Sequence, residues 1–149
     1  MIGKFIVNVT DLPKHLPEDE TINEQNYQVQ ASTDLYHLGS MVETLHIASH
    51  TCNESFFLKM TLEEKNNLKE IIIGDHCFKY VIKCVITNNP VLQSITIGSH
   101  SFTSKKSHMT SNYGTLGICD NPSLDSLQIG NASFMCYNIF AVTSRTSAW

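Results

Sequence analysis

The sequence predicts a mainly β fold, a solenoid of about four two-strand coils with parallel ladders and little helix. Three observations predict it. A motif of the form LxxLxLG recurs along the chain, a weaker apolar pair lies between its copies, and turn-forming residues separate the two. Periods of about 20 to 50 residues are typical of solenoids, because one short unit cannot bury its own apolar face.

The strong motif predicts the first strand of each coil. Apolar and polar residues alternate in it, as Ile95 and Ile97 alternate with Thr96, which is typical of a strand with one buried face. Successive copies begin 26, 24 and 32 residues apart, and the long interval indicates a polar insertion around 103–112 that loops out. The copies occupy residues 42–48, 68–74, 92–98 and 124–130.

The weaker apolar pairs predict a second strand in each coil. The glycines at the end of three strong motifs, Gly74, Gly98 and Gly130, are expected where the chain bends, because a residue without Cβ turns at least cost. The turns Asn88-Asn89-Pro90 and Asp120-Asn121-Pro122 are expected to return the chain to the next strong motif. The weaker pairs are Met60 and Leu62, Cys84 and Ile86, Leu116 and Ile118, and Phe140 and Val142.

These spacings divide the chain into an amino-terminal segment and a repeat region. Residues 1–41 carry little of the pattern and are predicted to be a cap or a degenerate coil, since the end of a solenoid needs a covering element. The repeat region, 42–149, is predicted to contain units near 42–67, 68–91, 92–123 and 124–149.

The motif LQSITIGSHSF, its copies and the NNP and DNP turns resemble leucine-rich-repeat proteins, nearest to the divergent kind found in unicellular eukaryotes. The resemblance covers residues 42 to about 142. It implies a curved solenoid with a protein-binding role, and it brings neither a cofactor nor a catalytic residue. It also implies that the family's inward asparagine position is taken here by His50, His76, His100 and Ala132.

Two interpretations of the histidine column His50, His76 and His100 follow. The favoured one is that the imidazoles are buried and hydrogen-bond backbone groups at the bend, so that stability falls as the pH drops below about 6.5. The less favoured one is a metal site. Ligands in a line at ladder spacing do not converge on one ion, which counts against it.

The predicted binding surface is the outward face of the first strands, because successive units present rigid side chains there to an extended partner. A partner protein is expected, and its identity does not follow from the sequence. Solvated strand residues without a partner are the alternative. The candidate residues are Glu43, Thr44, His46, Lys69, Glu70, Ile72, Gln93, Ser94, Thr96, Asp125, Ser126 and Gln128.

Composition and motifs limit the other function classes. A net charge of −4 without a long charged run disfavours nucleic acid, and no run approaches the roughly 18 apolar residues of a membrane span. Five cysteines without a CxxC pair suit packing in a reducing compartment such as the cytoplasm. No GxSxG, Walker, HExxH or GxGxxG motif occurs, so we expect a protein that is not an enzyme and uses no cofactor.

A second hypothesis treats the chain as structural. The last repeat unit has no visible cap, so the chain could be a fragment or subunit of a longer repeat array, with self-association through end coils.

Overall fold

The computed structural model describes residues 21–104 and 114–143, and these form parallel β-sheets with almost no helix. The mainly β prediction is confirmed. One short 3-10 helix spans Ser32–Tyr36. The strands in the described residues are β1 Asn26–Val29, β2 Thr44–Ile47, β3 Lys59–Glu63, β4 Glu70–Ile73, β5 Lys83–Thr87, β6 Ser94–Ile97, β7 Gly114–Cys119, β8 Ser126–Ile129 and β9 Tyr137–Val142.

The strands form two sheets, and from β2 onward consecutive strands alternate between them. The first sheet has the order β1-β2-β4-β6-β8 and contains every strong motif. The second has the order β3-β5-β7-β9 and contains every weaker pair. All strand pairs are parallel and join equivalent positions of neighbouring repeat units. In the β7–β9 pair a register shift lies between Tyr137 and Ile139.

The inward residues of both sheets form the core. Ile71 and Ile95 point inward and are fully buried, whereas the residues on either side of them in β4 and β6 point outward. A column of phenylalanine rings adds to this core, with 4.8 Å between the Phe78 and Phe102 centroids and 4.6 Å between Phe102 and Phe134. The sequence period therefore places like residues against like residues.

Glycine is required at the ends of the first-sheet strands because neighbouring repeat units come close there. A Cβ on Gly98 would lie 2.7 Å from the backbone carbon of Gly74, and one on Gly130 would lie 2.6 Å from that of Gly98. Such distances are shorter than real Cβ atoms adopt, so glycine is required where neighbouring repeat units touch backbone to backbone. The glycines do follow the ends of the first strands as predicted, but none of the three has a φ in the left-handed region, so the close contact and not a left-handed turn requires them.

The bend residues are instead the histidine and phenylalanine columns. His50, His76 and His100 have φ between 56° and 65°, and the left-handed region is entered again two residues later in each unit, as at Phe102 with φ 57°. Left-handed backbone is uncommon for residues other than glycine, and it is unfavourable for a bulky side chain. Ring packing along the column offsets that cost.

A buried asparagine pair joins the turns that follow the second-sheet strands. The backbone N–H and the side-chain Nδ2 of Asn89 both donate to Asn121 Oδ1, at 3.0 and 3.1 Å. Asn89 Nδ2 also donates to the Leu62 carbonyl, and Asn121 Nδ2 donates to the Ile86 carbonyl. Each side-chain amide thus bonds to a backbone carbonyl of the preceding repeat unit. Such bonds are needed because buried polar groups are costly without a partner.

Candidate functional site

The outward face of the first sheet brings the predicted binding residues together in register. Thr44 pairs with Glu70, Glu70 with Ser94 and Ser94 with Ser126. The next column runs through His46, Ile72, Thr96 and Gln128 in the same way. Because parallel strands hold equivalent residues side by side, the face consists of straight columns of side chains on a rigid sheet.

A shallow hollow of about 330 Å³ lies at the β1 side of this face. Thr44, His46 and Ile72 line it, and all three belong to the predicted surface. Ile72 is half-buried and supplies the apolar wall, while His46 is exposed. The hollow is also lined by Asn26, Tyr27 and Gln28 of β1.

These three β1 residues were missed by sequence reasoning because the strand carries no LxxLxLG motif. One signal was available: Tyr27 and Val29 alternate with polar residues as Leu45 and Ile47 do. The structure pairs β1 with β2 in that register, Tyr27 beside Leu45 and Val29 beside Ile47.

Tyr27, on the strand that borders the hollow, packs against the core and is held by its phenol. Its hydroxyl donates to the Asp34 carboxylate at 3.0 Å, and Asp34 also accepts from the backbone N–H of Gln30. Desolvation by burial, followed by the bond to Asp34, raises the pKa of Tyr27. The phenol is therefore neutral, and its bond to Asp34 ties β1 to the 3-10 helix.

A charged cluster flanks the columns. Lys69 Nζ lies 3.1 Å from Glu43 Oε1, and Gln25 Nε2 donates to Glu43 Oε2 at 2.8 Å. The hydrogen bonds from Gln25 and Lys69 lower the pKa of the Glu43 carboxyl. Gln93 and Asp125 continue this flank, and both are exposed. The outward face is thus polar at its edge, with Ile72 as its apolar member.

The histidine column is present, but the prediction that its imidazoles are buried is wrong. His50, His76 and His100 are all exposed. Their rings lie parallel, with centroids 4.9 Å apart for the first pair and 5.0 Å for the second. The expected loss of stability below about pH 6.5 assumed buried imidazoles, so it loses its physical basis.

The column also bears on the metal hypothesis. Parallel rings about 5 Å apart lie in a line, whereas zinc needs three or four ligand atoms at about 2.0–2.3 Å. Across the described ranges 21–104 and 114–143, no three His, Cys, Asp or Glu side chains are grouped as a metal ion requires.

The buried polar residues of each unit lie in the turn after the second-sheet strand and not at the histidines. Asn89 and Asn121 are completely buried and make the backbone contacts that had been assigned to the histidines. Serines form a second ladder: Ser101 Oγ donates to the Gly74 carbonyl, and Ser133 Oγ donates to the Gly98 carbonyl. The turns had been recognised in the sequence, but the burial of their asparagines had not.

The cysteines lie in packed surroundings. Cys84 is fully buried on β5 beside Leu116, and burial raises the pKa of its thiol. Burial also raises the pKa of Cys52 to about 12. Because the thiolate is the nucleophile and the metal ligand, raised pKa values keep both thiols unreactive.

No protein-family model, curated protein or solved structure matches this chain. In the residues with described structure, no helix is long and apolar enough to cross a membrane.

Proposed function

We propose that the chain is a leucine-rich-repeat solenoid that acts as a non-catalytic protein-interaction or scaffold module. The solenoid interpretation is supported by two parallel sheets whose strands alternate along the chain and pair equivalent positions of successive units. On this interpretation residues 1–41 are a cap or degenerate first coil, of which β1 is the strand that joins the sheet.

The observation that carries the binding role is the outward face of the first sheet, with its columns in register and the hollow beside His46 and Ile72. A preorganised surface loses little conformational entropy when it binds. Its polar flank and single apolar wall suit an extended peptide segment that inserts one apolar side chain against Ile72 and hydrogen-bonds along the columns. The partner is therefore a protein, and a modest affinity is expected because aromatic anchors are few.

The test replaces Ile72 with arginine and uses Val85→Arg as the matched control. Both are half-buried outward β-branched residues, Ile72 on the first sheet and Val85 on the second. Immobilised wild type and both variants are compared by quantitative proteomics of captured proteins, after equal unfolding midpoints have been verified.

The proposal is supported if wild type and Val85→Arg capture equal amounts of a protein and Ile72→Arg captures at least about tenfold less. That factor corresponds to about 1.4 kcal/mol of binding free energy. The proposal is contradicted if both variants lose the captured protein equally, or if no captured protein distinguishes Ile72→Arg from Val85→Arg.

A second candidate role is a structural subunit of a longer repeat array. It is favoured by the exposed apolar side chains of β8 and β9. An internal unit would expose the same positions if the unit that follows it were taken away. Open-ended growth of mass with concentration in sedimentation velocity would support this role, and a fixed stoichiometry would contradict it.

A further inference from the structure

The strands at the end of the two sheets, β8 and β9, carry a continuous apolar face. Ile129 is 43% exposed, Phe140 54% and Val142 44%. Leu124 and Leu127 are half-buried beside them. A hollow of about 330 Å³ opens between the two strands and is lined by Leu124, Leu127 and Val142 among others. We call this surface, formed by Leu124, Leu127, Ile129, Phe140 and Val142, the terminal face.

The same positions are buried one repeat unit earlier. Phe140 pairs with Leu116 and Val142 with Ile118, and both partners are completely inaccessible. Ile129 pairs with Ile97, which is also buried. The terminal face is therefore core-type surface, and leaving it exposed costs about 25 cal/mol per Å² of apolar area.

The backbone at this face is open as well. β8 and β9 are edge strands of their sheets, and an edge strand presents unpaired N–H and C=O groups to another chain. Charge does not oppose self-contact, because Asp125 is the one charged residue between Ser123 and Thr143. Two such faces can meet without bringing like charges into a low-dielectric interface.

The opposite end of the sheets differs in the part of the chain that the structure describes, because its inward core positions are covered. The 3-10 helix and the segment around the Ile22–Leu38 bridge cover it, and Leu35 and Leu38 are buried there. Met60 and Leu62 of the edge strand β3 are completely buried. Tyr36 and Phe56 are exposed nearby, but within the described residues the inward core positions of the first unit are covered. A head-to-tail contact would therefore not place the terminal face against an open core edge of its own kind.

We propose that two copies of this chain associate through their terminal faces about a two-fold axis. Each copy covers the Ile129, Phe140 and Val142 side chains of the other. Contact between identical patches is closed, so assembly stops at the dimer. Asp125 and Ser126 border the contact, but the hollow beside His46 and Ile72 lies away from it and stays free in both copies.

Light scattering coupled to size exclusion tests the stoichiometry from about 1 to about 100 µM, the range in which a micromolar contact dissociates. The full chain is compared with Phe140→Glu and with Phe56→Glu, a control phenylalanine that is 65% exposed outside the terminal face. We expect wild type and Phe56→Glu to reach twice the 16.7 kDa chain mass and Phe140→Glu to remain monomeric. Equal unfolding midpoints for the two variants verify the fold, and Val142→Glu replaces Phe140→Glu if the latter is less stable.

Hydrogen exchange at both ends of the concentration range locates the contact. Amides of residues 126–129 and 137–142 should gain protection at high concentration, while those of 26–29 should not change. A monomer at every concentration, a mass that grows beyond two copies, protection at 26–29, or dimers that survive both charge substitutions would each overturn the proposal.

Discussion

The two ends of the sheets differ in how their outermost strands are covered. At the amino-terminal end, Val29 is completely buried, and Leu35 from the 3-10 helix packs into the same core. At the carboxyl-terminal end, Phe140 occupies a core position in register but is more than half exposed. The apolar pattern is similar at both ends, so the difference lies in what packs over each.

This difference shows that a repeat motif specifies which way a side chain points and not whether it is buried. Ile97 and Ile129 have the same place in the motif, yet one is buried and the other is 43% exposed. Burial in a repeat protein depends on the neighbouring unit. The energetic value of a residue should therefore depend on its unit as much as on its type.

The largest effect is expected from truncating the phenylalanine of an interior unit. Phe102 is fully buried between the rings of Phe78 and Phe134, so Phe102→Ala should lower the free energy of unfolding by about 3–5 kcal/mol. Phe140→Ala should cost less than about 1 kcal/mol when unfolding in urea is measured below the concentration of association. Equal losses would contradict the contrast between the interior and the end.

The next effect concerns the asparagine pair. Asn89→Ala removes the bonds to Leu62 and Asn121 and leaves the Lys65 N–H, which donates to Asn89 Oδ1, unsatisfied. We expect a loss of about 2–3 kcal/mol in urea unfolding. The control is Asn67→Ala, because Asn67 also donates to a preceding carbonyl, that of Ser40, but at an exposed site. If Asn67→Ala lowers the free energy of unfolding as much as Asn89→Ala does, burial does not explain the effect.

A smaller effect should distinguish two glycines with the same contact. Gly98→Ala forces a Cβ against Gly74 while Gly130, on the other side, prevents the unit from moving away, and about 1–3 kcal/mol of stability should be lost. Gly130→Ala meets Gly98 in the same way, but the last unit can shift outward. We expect less than half the loss, measured by thermal unfolding at low concentration. Equal losses would mean that the last unit is held as tightly as the interior.

The smallest effect is electrostatic. The pKa of Glu43 is lowered below its ordinary value of 4.5, so the carboxylate stabilises the folded state above that value and the contribution is lost as the pH falls through the folded pKa. In Glu43→Gln the melting temperature should fall less steeply below about pH 4.5 than in wild type. Glu24→Gln, at an exposed residue outside the cluster, is the control. Parallel curves for wild type and Glu43→Gln would contradict the assignment.

Much of the strand arrangement could be predicted from period and alternation alone. The spacing of the strong motifs predicted that Thr44, Glu70, Ser94 and Ser126 share a column, and the register agrees. The weaker pairs predicted the second set of strands, including Cys84 beside Leu116. These features follow from side-chain direction, which the local sequence determines.

Features that depend on contact between units could not be predicted in the same way. His76 and Asn89 are both polar residues after a strand, and only the path of the turn makes one exposed and the other buried. Gly98 is needed because of the backbone of Gly74, which lies 24 residues away in the sequence. The set of binding residues predicted from the sequence was incomplete for the same reason, because β1 lines the hollow without carrying the motif.

Several contacts between repeat units are made between identical residues, and this has an evolutionary consequence. Phenylalanine packs on phenylalanine, histidine on histidine and glycine on glycine, and Asn89 bonds to Asn121. A tandem duplication of the coding segment for one unit would introduce both sides of such a contact at once. The inserted unit would match its neighbours without a compensating mutation, so the length of such a protein can change by whole units while each interface is inherited intact.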